Sequence, residues 1–127
     1  EGDSALAPDE RVRLKLDVPM GEKADAAMLD ELFEGHCSAM PRDTLAPMAL
    51  AQRYRDAVLV DAALSAIGKH VSTIVLAGNG HVRKDRGVPW YIKQRDPAKK
   101  TLSVLLVEVE DGKTEAEAYV PKDPEGK

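Results

Sequence analysis

Cysteine is nearly absent from this chain. Cys37 stands alone, so no intrachain disulfide can form and cysteine usage does not identify a compartment. Besides Cys37 there are only three histidines, His36, His70 and His81. A structural zinc site needs about four ligands, which argues against such a cluster. Aromatic residues are scarce at 4%, so any core must rest on Leu, Val, Ile, Ala and Met. No apolar run approaches the roughly 20 residues that span a bilayer. An excess of positive charge is also missing, with 18 Lys and Arg against 22 Asp and Glu. That balance argues against a nucleic-acid partner. An initiating Met, a signal peptide and a lipid-attachment pattern are lacking at the start, as expected for a fragment of a larger protein.

What is present suffices for one domain: 127 residues, 43% of them hydrophobic, can bury a core. Residues 1–23 read as a linker with an edge strand. Arg11 to Val18 alternates charged and apolar side chains, with Val12, Leu14, Leu16 and Val18 on one side. Residues 24–120 read as the ordered domain and 121–127 as a flexible tail. A helix is predicted over Ala24–Glu34, with Gly35 as a left-handed cap. A longer helix should start near Asp43 or Thr44 and end near Gly68. A third begins at Pro89. Continuously apolar runs at Thr73–Ala77 and Thr101–Val109 read as strands, the first central and parallel. Asp111-Gly112 predicts a hairpin turn that pairs the second run with Thr114–Val120.

The densest chemistry follows the run ending at Ala77. A Gly78-Asn79-Gly80 turn leads into His81, then Arg83, Lys84 and Arg86. Ligands of open α/β sheets bind where strands end. Glycines allow positive φ or close approach to a ligand. His81 could ligate a metal or haem iron, act as acid or base, or simply brace the turn. Arg83 and Arg86 could converge on a carboxylate or phosphate, or form a solvated basic loop. A local basic cluster on an acidic protein suits a small anionic ligand.

On the long helix, Leu45, Met48, Ala49, Leu59, Val60, Ala63 and Ile67 share a face that Gln52 and Asp56 interrupt. Four residues apart, these two lie one above the other. Buried, they need partners, with Arg53, Arg55 or an arginine of the Gly-rich segment available to Asp56. They serve as a buried polar brace or as ligand contacts. Tyr91 reads as a packed aromatic or an iron ligand. Trp90 reads as core or as a wall for a flat apolar ligand. Cys37 reads as a small buried residue, and His70 as a cation near a helix C-terminus.

Three blocks, in this order, resemble the carboxyl-terminal part of the ChaN-like haem-binding uptake family, related to Tiki proteases and erythromycin esterases. They are Glu34-Gly35-His36-Cys37 with Met40-Pro41, then Ala51-Gln52-Arg53-Tyr54-Arg55-Asp56-Ala57, then Ala77 through Pro89. The resemblance spans residues 24–110. Ser38 stands where a glycine is common, and the family's amino-terminal half, with its Gly-Glu and His motif, is absent. The resemblance implies a three-layer α/β/α sandwich, mostly parallel with an antiparallel C-terminal hairpin. It implies a bacterial envelope or periplasmic protein, in full-length form a membrane-anchored lipoprotein, that binds haem for haem or iron uptake. His81, Asn79, Arg83, Arg86, Tyr91, His36, Gln52 and Asp56 are the implied pocket residues. His81 or Tyr91 is the candidate metal ligand, and the arginines face the haem propionates. The expected reading is a non-catalytic binding protein, associating as a homodimer through an exposed edge. The alternative is a hydrolase using a divalent metal ion.

Overall fold

Pro8 opens helix α1 (Pro8–Arg13) at a position where its missing N–H costs nothing, and Asp9 and Glu10 complement the positive end of the helix. This computed structural model describes residues 6–36, 38–41, 44–69 and 72–119. The alternating segment expected as a strand over 11–18 is therefore a helix and its exit. The exit is a Schellman turn. Leu16 N–H donates to the Arg11 carbonyl at 3.0 Å and Lys15 N–H to that of Val12 at 3.1 Å. Lys15 itself sits at φ 60°. The reversal delivers Leu14 and Leu16 together into the core. Two apolar residues with one charge between them satisfy a strand period and this turn equally well.

Helix α2 spans Glu22–Gly35 and buries Met28. Gly35 lies inside the helix; the left-handed residue after it is Ser38, at φ 55°. Ser38 N–H reaches the Phe33 carbonyl at 3.0 Å. Helix α3 spans Leu45–Ile67, about 35 Å at 1.5 Å per residue. Pro47 falls in its first turn, where backbone N–H groups lack intrahelical partners anyway. Helix α4 spans Val88–Arg95 with Pro89 in its first turn. α3 packs against both α2 and α4.

Leu14, Leu16, Ala57, Val60, Val88 and Tyr91 form the core, with Leu59, Leu64, Trp90 and Ile92 packed against it. Trp90 and Tyr91 meet edge to face at 4.7 Å. Asp61 accepts hydrogen bonds from Arg13 at 2.7 Å and Arg95 at 2.5 Å, fastening α1 and α4 to the same turn of α3.

The fold corrects the expected α/β/α sandwich. Among the described residues there is no strand and no sheet, and the architecture is helical. Segments 72–78 and 101–110 have no regular secondary structure and form no backbone ladder. Ile74, Leu76 and Leu106 are 86%, 92% and 78% exposed. Apolar runs of this kind favour extended backbone, but a strand also requires a neighbour to exchange hydrogen bonds with. Here the Leu106 carbonyl receives a side chain instead, Asn79 Nδ2 at 2.7 Å. The Asp111-Gly112 turn does form, with Gly112 at φ 81°. It is followed by a short 3-10 helix, Ala116–Ala118, in place of a pairing strand. Cys37, Asp43, His70 and the tail fall outside the described residues.

Candidate functional site

The Gly-Asn-Gly segment forms a 3-10 helix, Asn79–Val82. It carries His81 against the face of α3 that the sequence marks with Gln52 and Asp56. The Asp56 carboxylate is 1% exposed, and its Oδ1 lies 2.7 Å from His81 Nδ1. Its partner is thus the imidazole, and not one of the arginines offered by the sequence. An ionised carboxylate only accepts hydrogen bonds, so Nδ1 carries a proton toward Asp56 and Nε2 is the ring nitrogen left to face other groups. The Gln52 amide nitrogen lies 3.2 Å from both ring nitrogens. Equidistant from the two, it lies over the ring face. Burial pushes the Asp56 carboxyl up to about 6, against the opposing hydrogen bond and charge of His81.

A cleft of about 450 Å³ opens at this imidazole, a volume in the usual range for small-molecule sites. Val58, Leu59, Ala77 and the Tyr54 ring supply its apolar wall, and Arg55, itself exposed, lies on its border. Tyr54 with Val58, and Arg55 with Leu59, are four residues apart and line one strip of α3.

Arg83 and Arg86 point elsewhere. Arg86, 2% exposed, binds Asp85 at 2.5 Å and also Glu31. Arg83 binds the same two carboxylates, with Asp85 at 3.0 Å and Glu31 at 3.3 Å. Although burial pushes the Asp85 carboxyl upward, Arg83 and Arg86 hold it below the ordinary carboxylate range. This network ties the loop to α2. A second cleft, of about 560 Å³, lies on that side and includes Asn79, Arg83, Lys84 and Ser103 in its lining.

Tyr91 is 0% exposed, and its hydroxyl accepts a hydrogen bond from Arg53 Nε at 2.8 Å. Burial raises its pKa. A metal would reach this oxygen only by displacing core side chains. Trp90 is packed against the core. His36 is exposed, its Nδ1 2.7 Å from the Leu32 carbonyl of its own helix end, and it lines neither cleft. Of the eight residues singled out in the sequence, then, the structure brings Gln52, Asp56 and His81 into direct contact. Arg83 joins Arg86 through shared acids, Asn79 anchors the neighbouring coil segment, and Tyr91 and His36 stand apart.

Glu31 and Asp85 carried no site role in the sequence, and Arg55 entered only as a possible partner of Asp56. The signal for Arg55 was its place one residue before Asp56 on a helix whose apolar face was already assigned. The signals for the other two were acids whose nearest cations lie far away in the sequence or in an irregular loop. Gly87 was also overlooked. A Cβ there would stand 2.4 Å from the His81 carbonyl oxygen and 2.8 Å from that of Arg83. Gly78 and Gly80, in contrast, have no positive φ and no close backbone neighbour.

With this geometry in place, the chain can be set against known proteins. The family model described as "Haem-binding uptake, Tiki superfamily, ChaN" matches residues 1–92. The chain belongs to this haem-binding uptake family. The match begins at residue 1 and ends at 92, where the sequence blocks suggested 24–110. It includes Gln52, Asp56 and the whole Gly-rich segment. No curated protein and no solved structure matches the chain.

Proposed function

We propose that this chain binds haem for haem or iron uptake in the bacterial cell envelope, using the cleft at His81. The single observation that carries the reading is the buried Asp56 carboxylate bonded to His81 Nδ1 at 2.7 Å at the mouth of an apolar cleft. Metal-binding histidines usually donate their second N–H to a carboxylate or carbonyl, which fixes the tautomer and makes the ligating nitrogen more basic. The donor set, one imidazole beside Tyr54, Val58 and Leu59, fits a flat apolar group whose metal would be held by His81. When bound, haem supplies an iron able to accept that imidazole. Asp56 holds the proton on Nδ1, Gln52 lies against the ring, and the α3 strip offers the ligand an apolar surface. The family's haem-uptake description supports the envelope assignment. Membrane tethering and a homodimer belong to the same proposal; among the described residues no helix is long and apolar enough to cross a membrane.

Haemin titration is the test. The chain should give a Soret shift that His81→Ala weakens by about tenfold in affinity or more, while Tyr91→Phe leaves its position unchanged. An identical titration for the wild type and His81→Ala would remove His81 from the site.

The same dyad favours a second reading, hydrolysis, because a carboxylate-oriented imidazole is also the arrangement of a general base. A divalent metal version needs further ligands. Among the described residues no group of three or more His, Cys, Asp or Glu side chains lies together. Ester turnover abolished by His81→Ala, without any haemin shift in the wild type, would favour this alternative.

A further inference from the structure

We infer that Arg55 is the anion anchor of the His81 cleft, so that the cleft selects flat apolar ligands bearing a carboxylate. The inference rests on the proposal that this cleft holds a porphyrin-like ligand, and it moves the anionic subsite away from Arg83 and Arg86. Those two guanidinium groups already share Asp85 and Glu31. A ligand carboxylate would have to displace buried ion pairs to reach Arg86, leaving charges without partners. Arg55 differs in both respects. It lines the same cleft as His81, and among the described residues no carboxylate lies within ion-pair distance of it.

The cleft offers little else that is polar. Val58, Leu59 and Ala77 give its wall no hydrogen-bonding side chain, and Tyr54 gives only a hydroxyl. Arg55 is exposed at the rim of the cleft, where its guanidinium can reach a ligand carboxylate through charge-assisted hydrogen bonds. A ligand that covers Val58 and Tyr54 would therefore place its acid near Arg55 and its centre near His81. Arg55 is specificity-determining in this arrangement: it distinguishes the acid from its neutral ester, whereas the apolar wall does not.

The experiment uses metal-free protoporphyrin IX and its dimethyl ester, followed by quenching of Trp90 fluorescence. Neither compound contains iron, so ligation by His81 plays no part. Wild type should bind the diacid about tenfold or more tightly than the ester. Arg55→Gln should remove that preference with ester affinity unchanged, and Arg55→Lys should restore part of it. Circular dichroism of the variants reports whether α3 is intact. Equal loss for both compounds in Arg55→Gln, or no loss for either, overturns the inference. So does a preference that survives Arg55→Gln and disappears in Arg83→Gln, which would return the anionic subsite to the loop. Wild type that binds neither compound but still shifts the haemin Soret band overturns the inference alone, and wild type that also gives no haemin shift overturns the porphyrin reading beneath it. Arg55-dependent diacid binding with no effect of His81→Ala on haemin leaves the anchor standing and removes only the iron-ligand role.

Discussion

Burial and hydrogen bonding act on Asp56 in opposite directions, and burial prevails. Its folded pKa of about 6 lies above the ordinary 3.8. Between those values the native state holds a proton that the unfolded chain has released. The stability contributed by this group is fully present below 3.8 and is lost as pH rises through about 6. That is opposite to the usual behaviour of a salt-bridged carboxylate. Asn at this position cannot ionise, yet its amide oxygen can still accept from His81 Nδ1. Asp56→Asn should gain stability relative to wild type as pH rises from 4.5 to 7.5, by about 2 kcal/mol. Urea unfolding of both proteins at the two pH values measures this. A difference independent of pH would show that the carboxyl is not held in the shifted state.

At this scale much of the site was legible. Gln52 and Asp56 stood out because they interrupt an apolar stripe, and a polar group there must find a partner. His81 stood out by its place after a glycine-flanked turn. Their contact was not legible, since nothing in residue order says which cation meets Asp56. The arginines misled for a related reason. Arg83 and Arg86 looked available to a ligand, but Glu31 comes from a distant helix and Asp85 from between them.

Among elements, the loop between the 3-10 helix and α4 is shaped by one absent methyl group. A Cβ at position 87 would overlap the carbonyl oxygens of His81 and Arg83, neither of which can move without shifting the imidazole. Gly87→Ala should cost about 2–3 kcal/mol and weaken haemin binding with it. Gly80→Ala meets only Gln52 Nε2 at 3.7 Å and should change stability by less than about 1 kcal/mol. Chemical denaturation of the two variants side by side checks the contrast. The sequence drew attention to the wrong glycines because Gly-Asn-Gly is a familiar turn signal, whereas close approach of a distant backbone leaves no local mark. Helices α2, α3 and α4 were legible from apolar period and from Pro89. The edge strand was not, because a period of two over so few residues also describes a helix with a Schellman exit.

Across the whole molecule, the misread layer is the one that would have been the sheet. Apolar content and β-branched residues marked 73–77 and 101–109 as strands, and in the structure both are irregular coil. Pairing is a property of two segments, and composition describes only one at a time. The result is a helical body with apolar side chains such as Leu76 and Leu106 open to water. Exposed apolar area of this sort attracts amphipathic dyes and other proteins. Leu76→Lys combined with Leu106→Lys should lower anilinonaphthalene sulfonate fluorescence by half or more while leaving the far-ultraviolet helical signal intact. Unchanged fluorescence would mean that these side chains are covered in solution.

Within little more than one turn, α3 grips three separate parts of the chain. Gln52 and Asp56 hold His81, and Arg53, between them, holds Tyr91 and the Val18 carbonyl, the latter at 2.7 Å. Rolling this helix about its axis would break these grips at once, so it behaves as a fixed jaw. Of the two walls that face a ligand beside the imidazole, α3 is thus the one held in place, and the other is the coil through Ala77 and Gly78.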